Sequence, residues 1–120
     1  MEVNDMDLNT FISQLKREPE LIEFEQTMSV IDENFSFTPT TFTNGKTLNQ
    51  AGQNNGSCKI FALGALQQLS IEETLACFGR FYREDVLKHP EGDDHQNIRN
   101  FMVTGWEGVE FEAVALVKKV

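Results

Sequence analysis

The sequence predicts a mainly α-helical, α+β fold: a compact bundle of four to five helices with a small two-stranded β element. Three observations carry this. Apolar residues recur at helical spacing along most of the chain, helix start and stop signals punctuate them, and only two runs alternate with period two. With 120 residues, 40% of them hydrophobic, the chain fits a single domain, 1–120, that can bury a proper core. Ten Phe against one Tyr and one Trp predict that large apolar rings anchor that core.

Leu8, Phe11, Ile12 and Leu15 mark a first helix that ends before Pro19, a residue suited to the first turn of a second. Leu21, Phe24, Met28 and Ile31 stripe that second helix, Glu20, Glu23 and Glu25 favour its positive N-terminal end, and it stops near Asn34. Phe35, Phe37 and the threonines up to Phe42 then alternate, and Pro39 makes this a short or edge strand. Asn44-Gly45 supplies a turn into a loop over 46–56 that carries almost no large apolar side chain.

Ser57 is suited to cap a helix from Cys58 to Leu69, with Phe61, Ala62, Ala65, Leu66 and Leu69 on its apolar face. Ser70 and Glu73 spell a capping box for the next helix, which offers Leu75, Cys77, Phe78 and Phe81 to the core, with Gly79 as a bend and Pro90 as the stop. Asp93 or Asp94 is placed to cap a last helix presenting Ile98, Phe101 and Met102, closed by Gly105. Val109, Phe111, Ala113, Ala115 and Val117 alternate as a strand able to pair with residues 35–42.

The net charge of −9 is uneven: residues 1–34 hold nine acidic and two basic side chains, the remainder ten and eight. Such a surface repels phosphate, which excludes nucleic acid as a partner class. No apolar run approaches the roughly eighteen residues a membrane span needs, so no membrane association is expected. The start, Met1 to Asp7, lacks the basic and apolar parts of a secretory signal, so a cytoplasmic protein is expected. Cys58 and Cys77 do not resemble a disulfide scaffold and are expected to be reduced.

Two polar segments stand apart from this core pattern: Asn44 to Cys58, and His89 to Asn97, which holds both histidines. Amides and glycines at this density bond to backbone and ligands rather than bury apolar area. Docked together, they predict a polar concavity for a small polar ligand or a protein partner, formed by Asn49, Gln53, Asn54, Gly56, Ser57, His89, His95, Gln96, Asn97 and Arg99. Trp106, between Gly105 and Gly108, is either an anchor of the last strand or an exposed contact for a partner.

Cys58 is the sharpest catalytic candidate, because a thiol in the first turn of a helix meets the open N–H groups that lower its pKa. His95, with Asp94 or Asn97 beside it, supplies the base that a thiol hydrolase or transferase needs. Alternatively, Cys58 is a small buried residue beneath the loop. Asp93, Asp94, His89, His95 and Cys58 include metal-ligand types, but Pro90 and Gly92 interrupt them and no ligand interval recurs, so no metal and no cofactor is predicted.

The runs Phe-Thr-Asn-Gly (42–45), Ala-Gly-Gln-Asn-Asn-Gly-Ser-Cys-Lys-Ile-Phe (51–61), Leu-Ala-Cys-Phe-Gly (75–79) and His-Pro-Glu-Gly-Asp-Asp-His-Gln-Asn-Ile-Arg-Asn-Phe (89–101) resemble the HopJ type III effector family over nearly the whole chain. The resemblance implies a small bacterial protein grouped with effectors that a type III machine delivers into host cells. It implies no catalytic role for Cys58, His89 or His95.

Overall fold

The structure, a computed structural model, describes residues 7–119; most of the acidic start, Met1 to Met6, lies outside the described residues. Helix α1 (Leu8–Arg17) opens at Asp7, whose carboxylate accepts the Thr10 N–H at 3.2 Å, and it buries Leu8, Phe11 and Leu15 as the spacing predicts. Pro19 does not begin the second helix. It starts a single 3-10 turn, Pro19–Leu21, that leaves Leu21 exposed and turns Ile22 inward instead. Helix α2 (Phe24–Asn34) begins after Glu23, whose N–H donates to Gln26 Oε1 at 3.3 Å.

The expected pairing between 35–42 and 109–117 exists, but it is split into more strands than the two predicted. β1 (Phe35–Phe37) pairs antiparallel with β5 (Leu116–Lys118), Phe37 facing Leu116. β2 (Phe42–Asn44) pairs antiparallel with β4 (Val109–Phe111), Phe42 facing Phe111, and forms a hairpin with β3 (Thr47–Asn49) around Gly45 at φ +62°. The break falls at Pro39, which has no N–H to give a ladder. β3 carries no period-two apolar signal, because its Leu48 is exposed and its Asn49 buried.

Helix α3 (Asn55–Gln67) starts earlier than the Ser57 cap predicts, with Asn54 in the left-handed region at φ +54° as its N-cap. Helix α4 (Ile71–Ala76) obeys the capping box: Ser70 Oγ accepts the Glu73 N–H at 3.0 Å and Glu73 Oε1 accepts the Ser70 N–H at 2.9 Å. Gly79, at φ +61°, reverses the chain into a π-helical segment, Phe81–Val86. A Cβ on Gly79 would stand 2.5 Å from the Phe24 backbone nitrogen, so this crossing admits only glycine. Helix α5 (Gln96–Thr104) ends at Gly105 as expected, but its N-cap is His95 at φ +52°, not Asp93 or Asp94.

Phe61 of α3 sits at the centre of the core, its ring 4.9 Å from Phe101, 5.7 Å from Phe78 and 6.1 Å from Phe42. Trp106 packs edge-on against Phe61 and Phe101, and its indole N–H donates to the Leu69 carbonyl at 3.0 Å. It is an anchor. Gly64 makes room for it, since a Cβ there would lie 2.7 Å from the indole ring.

Candidate functional site

The two polar segments meet through side-chain amides. Asn44 and Asn49, at the ends of the β2–β3 hairpin, and Asn97, in the first turn of α5, are all buried, and burial without partners would cost each amide several hydrogen bonds. Instead they bond one another, and among the described residues only Asn44 Oδ1 is left buried without a partner. Asn44 and Asn49 both donate to Asn97 Oδ1, at 3.0 and 3.1 Å, and Asn97 Nδ2 returns a bond to Asn49 Oδ1 at 2.9 Å. Asn100 ties the same hairpin to α5 from the next turn, donating to the Asn44 carbonyl at 3.1 Å and to Thr47 Oγ1 at 2.7 Å.

Asn97 carries this network to the floor of a cavity of about 360 Å³. Thr47, Asn54, Gly56 and Ser57 line one side, His95, Gln96, Asn97 and Ile98 the other, and Phe24, Phe78 and Phe81 form an aromatic wall. The N-termini of α3 and α5 both open onto it. Neither N-cap side chain, Asn54 nor His95, bonds its own helix end, so first-turn N–H groups remain available on residues that line the cavity. Gly56 brings the α3 backbone close to the wall: a Cβ there would be 2.9 Å from the Phe24 ring.

His95 is held from two directions. Its ring lies against Phe81 with centroids 5.3 Å apart, and its Nε2 is 3.0 Å from an Asp85 carboxylate oxygen. Asp85, inside the π-helical segment, is therefore the partner of His95. Asp94 is the weaker one: its Oδ2 stands 3.9 Å from Nε2, while its Oδ1 is taken by Arg99 Nη2 at 2.6 Å. That guanidinium holds the Asp94 carboxyl below its usual range. Arg99 also donates to the Asp94 carbonyl at 2.6 Å and the His89 carbonyl at 3.0 Å, so it clamps the 89–94 loop rather than facing the cavity.

Cys58 departs from its expected chemistry. Because α3 begins at Asn55, the thiol falls on the inward face, fully buried, with Sγ 4.0 Å from the Thr40 carbonyl. Burial pushes its pKa up, not down, and it does not line the cavity that His95 lines. Cys77 is pushed up to about 12 by the same cause, and both thiols are free.

Of the remaining predicted residues, Gln53 is exposed and accepts the Gln50 N–H at 3.0 Å in a local turn, His89 is exposed, and Asn49 is buried against Asn97 without lining the cavity. The residues missed are Phe24, Phe78, Phe81, Thr47, Ile98 and Asp85. The rings carry the same helical spacing as core residues, so spacing could not separate cavity wall from core. Among the described residues, no three His, Cys, Asp or Glu side chains come together as metal ligands, and no helix is long and apolar enough to cross a membrane.

The family model for HopJ type III effector proteins matches residues 8–116, a span that includes every residue of the cavity and its amide floor. The chain belongs to the HopJ family. A solved crystal structure, of the unknown-function protein VPA0580, is 66% identical over 95% of each chain with a TM-score of 0.94, so the HopJ chain shares its fold over nearly its full length. No curated protein matches the chain.

Proposed function

We propose that this HopJ-family chain is an interaction protein that works by recognition, its cavity taking a small polar ligand or the end of a peptide. One observation carries this: two helix N-termini, a carboxylate-oriented imidazole and an aromatic wall converge on one concavity of about 360 Å³, a size that small-molecule sites share. Burial of Cys58 and the upward push on its pKa weigh against a thiol hydrolase or transferase. The net charge of −9 weighs against nucleic acid. Membership of a family described as type III effector proteins supports a site of action in the bacterial cytoplasm or, after delivery, in a host cell.

The test is a fragment screen read by backbone amide chemical shifts. Hits should cluster on residues 54–57 and 95–98, and Ser57→Trp, which fills the cavity from its rim, should abolish them while the remaining spectrum stays native. Hits that map elsewhere, or that survive Ser57→Trp, overturn the proposal.

A further inference from the structure

We propose that the ligand is a free α-amino acid with an apolar side chain; this rests on the recognition reading of the cavity and adds the ligand's class. The polar side chains of the cavity are oriented with their nitrogen ends engaged inside the protein. Asn54 Nδ2 donates to Asn49 Oδ1 at 2.7 Å, Gln96 Nε2 donates to the Asp93 carbonyl at 2.9 Å, and His95 Nε2 faces Asp85 at 3.0 Å. Among the described residues, Asn54 Oδ1, Gln96 Oε1 and His95 Nδ1 have no hydrogen-bond partner. With Nε2 engaged by the Asp85 carboxylate, Nδ1 is the ring's remaining polar atom, an acceptor in the tautomer whose proton sits on Nε2. The side chains are thus left as acceptors, in a protein of net charge −9, and acceptors in that setting select a ligand that donates, as an ammonium does.

An amine alone would leave the other half of the cavity unmatched. Ser57 adds a hydroxyl, and the first turn of α3, a helix of thirteen residues, adds N–H donors on Gly56 and Ser57, which suit a carboxylate. Phe24, Phe78 and Phe81 then offer an apolar wall for a side chain. Ammonium, carboxylate and apolar side chain on a single carbon match the three surfaces at once, and the volume has room for a whole residue such as leucine or phenylalanine.

Titration calorimetry with L-phenylalanine and L-leucine, set against N-acetyl-L-phenylalanine and L-phenylalaninamide, tests each surface separately. The free amino acids should bind, and each blocked analogue should bind at least about tenfold more weakly, a difference of about 1.4 kcal/mol. His95→Asn, which keeps a side chain tolerant of the left-handed cap, should weaken L-phenylalanine about tenfold and leave the already weak N-acetyl derivative unchanged. Equal binding of the N-acetyl derivative removes the ammonium site, and equal binding of the amide removes the carboxylate site; either result overturns the proposal. Failure of both amino acids to bind at millimolar concentration overturns it too, while fragment hits on residues 54–57 and 95–98 in the same protein would leave the recognition function standing.

Discussion

The Asn44 side chain donates at once to the backbone carbonyl of Asn97, at 2.8 Å, and to its side-chain oxygen, at 3.0 Å, across 53 positions of the chain. One asparagine therefore fixes both the position of the α5 N-terminus and the orientation of the amide that floors the cavity. The β2–β3 hairpin and the first turns of α5 are thereby tied together.

Asn97→Ala removes the acceptor used by two buried donors, Asn44 and Asn49. Asn44 keeps its bond to the residue 97 carbonyl and Asn49 only a long one to the Phe42 carbonyl, so losing the shared side-chain acceptor should lower stability by about 2 kcal/mol in urea unfolding. Gln53→Ala touches only an exposed local turn and should change stability by less than about 0.5 kcal/mol. Similar small effects for both variants would mean that the amide network does not hold the two segments together.

Gly79→Ala combines a left-handed φ of +61° with a Cβ 2.5 Å from the Phe24 backbone, and Gly52→Ala combines a φ of +93° with open space. The backbone conformation alone should cost about 1–2 kcal/mol at Gly52, and Gly79 should exceed this by at least about 1 kcal/mol through the clash. Thermal or urea unfolding of the pair separates conformational from steric cost. Equal losses would show that α2 yields easily at Phe24.

Both thiols should resist iodoacetamide at neutral pH until the chain unfolds, and dithiothreitol should leave the thermal midpoint unchanged, because both are buried and free. The alkaline limb follows from Cys77, pushed up to about 12 by burial. A thiol whose folded pKa is raised contributes stability that is complete below the unfolded value near ~8.5 and is lost as pH rises from there through the folded value. Stability should therefore decline above about pH 9, and Cys77→Ala, although less stable at pH 7, should show a shallower alkaline slope. Rapid alkylation of the native protein at Cys58 would reopen the thiol chemistry.

Glu73 is displaced in the opposite direction: its bond to the Ser70 backbone, and then the Lys16 ammonium, hold its pKa down against some burial. A lowered folded pKa gives stability that is present above the ordinary glutamate range and lost as pH falls through the folded value. Ser70→Ala should cost about 1 kcal/mol by uncapping α4. Glu73→Gln should cost less at pH 7, and its deficit should vanish in acid; a constant deficit across pH would assign the effect to shape rather than charge.

Elements specified by near neighbours were legible before folding was considered. Ser70 and Glu73 are three residues apart and satisfy each other, so their box can be read directly, and Gly105 closes α5 where its pattern ends. The contact between 44–58 and 89–100 was legible as a concentration of amides, but the assignment of individual amides was not. Asn49 and Asn97 are buried and Gln53 exposed, a difference set by the register of β3 and the phase of α5 rather than by residue type. The helix starts failed for a related reason. Ser57, Asp93 and Asp94 are good caps in isolation, yet Asn54 and His95 take the left-handed cap positions, and Asp94 is drawn away by Arg99. Asp85 gave no local signal, since only the turn at Gly79 and the π-helical segment bring it to His95.

The pairing of Phe42 with Phe111 also sets an order in time. β4 joins β2 only after a long loop containing α3, α4 and α5 has closed, and such closures carry an entropy cost that local helix formation does not. Asn44 belongs to the strand that β4 captures and reaches Asn97 across 53 positions, so the amide beneath the cavity depends on long-range closure that the helices do not need. A chain with its helices formed but this pairing absent would lack the strand that seats Asn44 against Asn97, so helix content alone does not report whether the cavity is built.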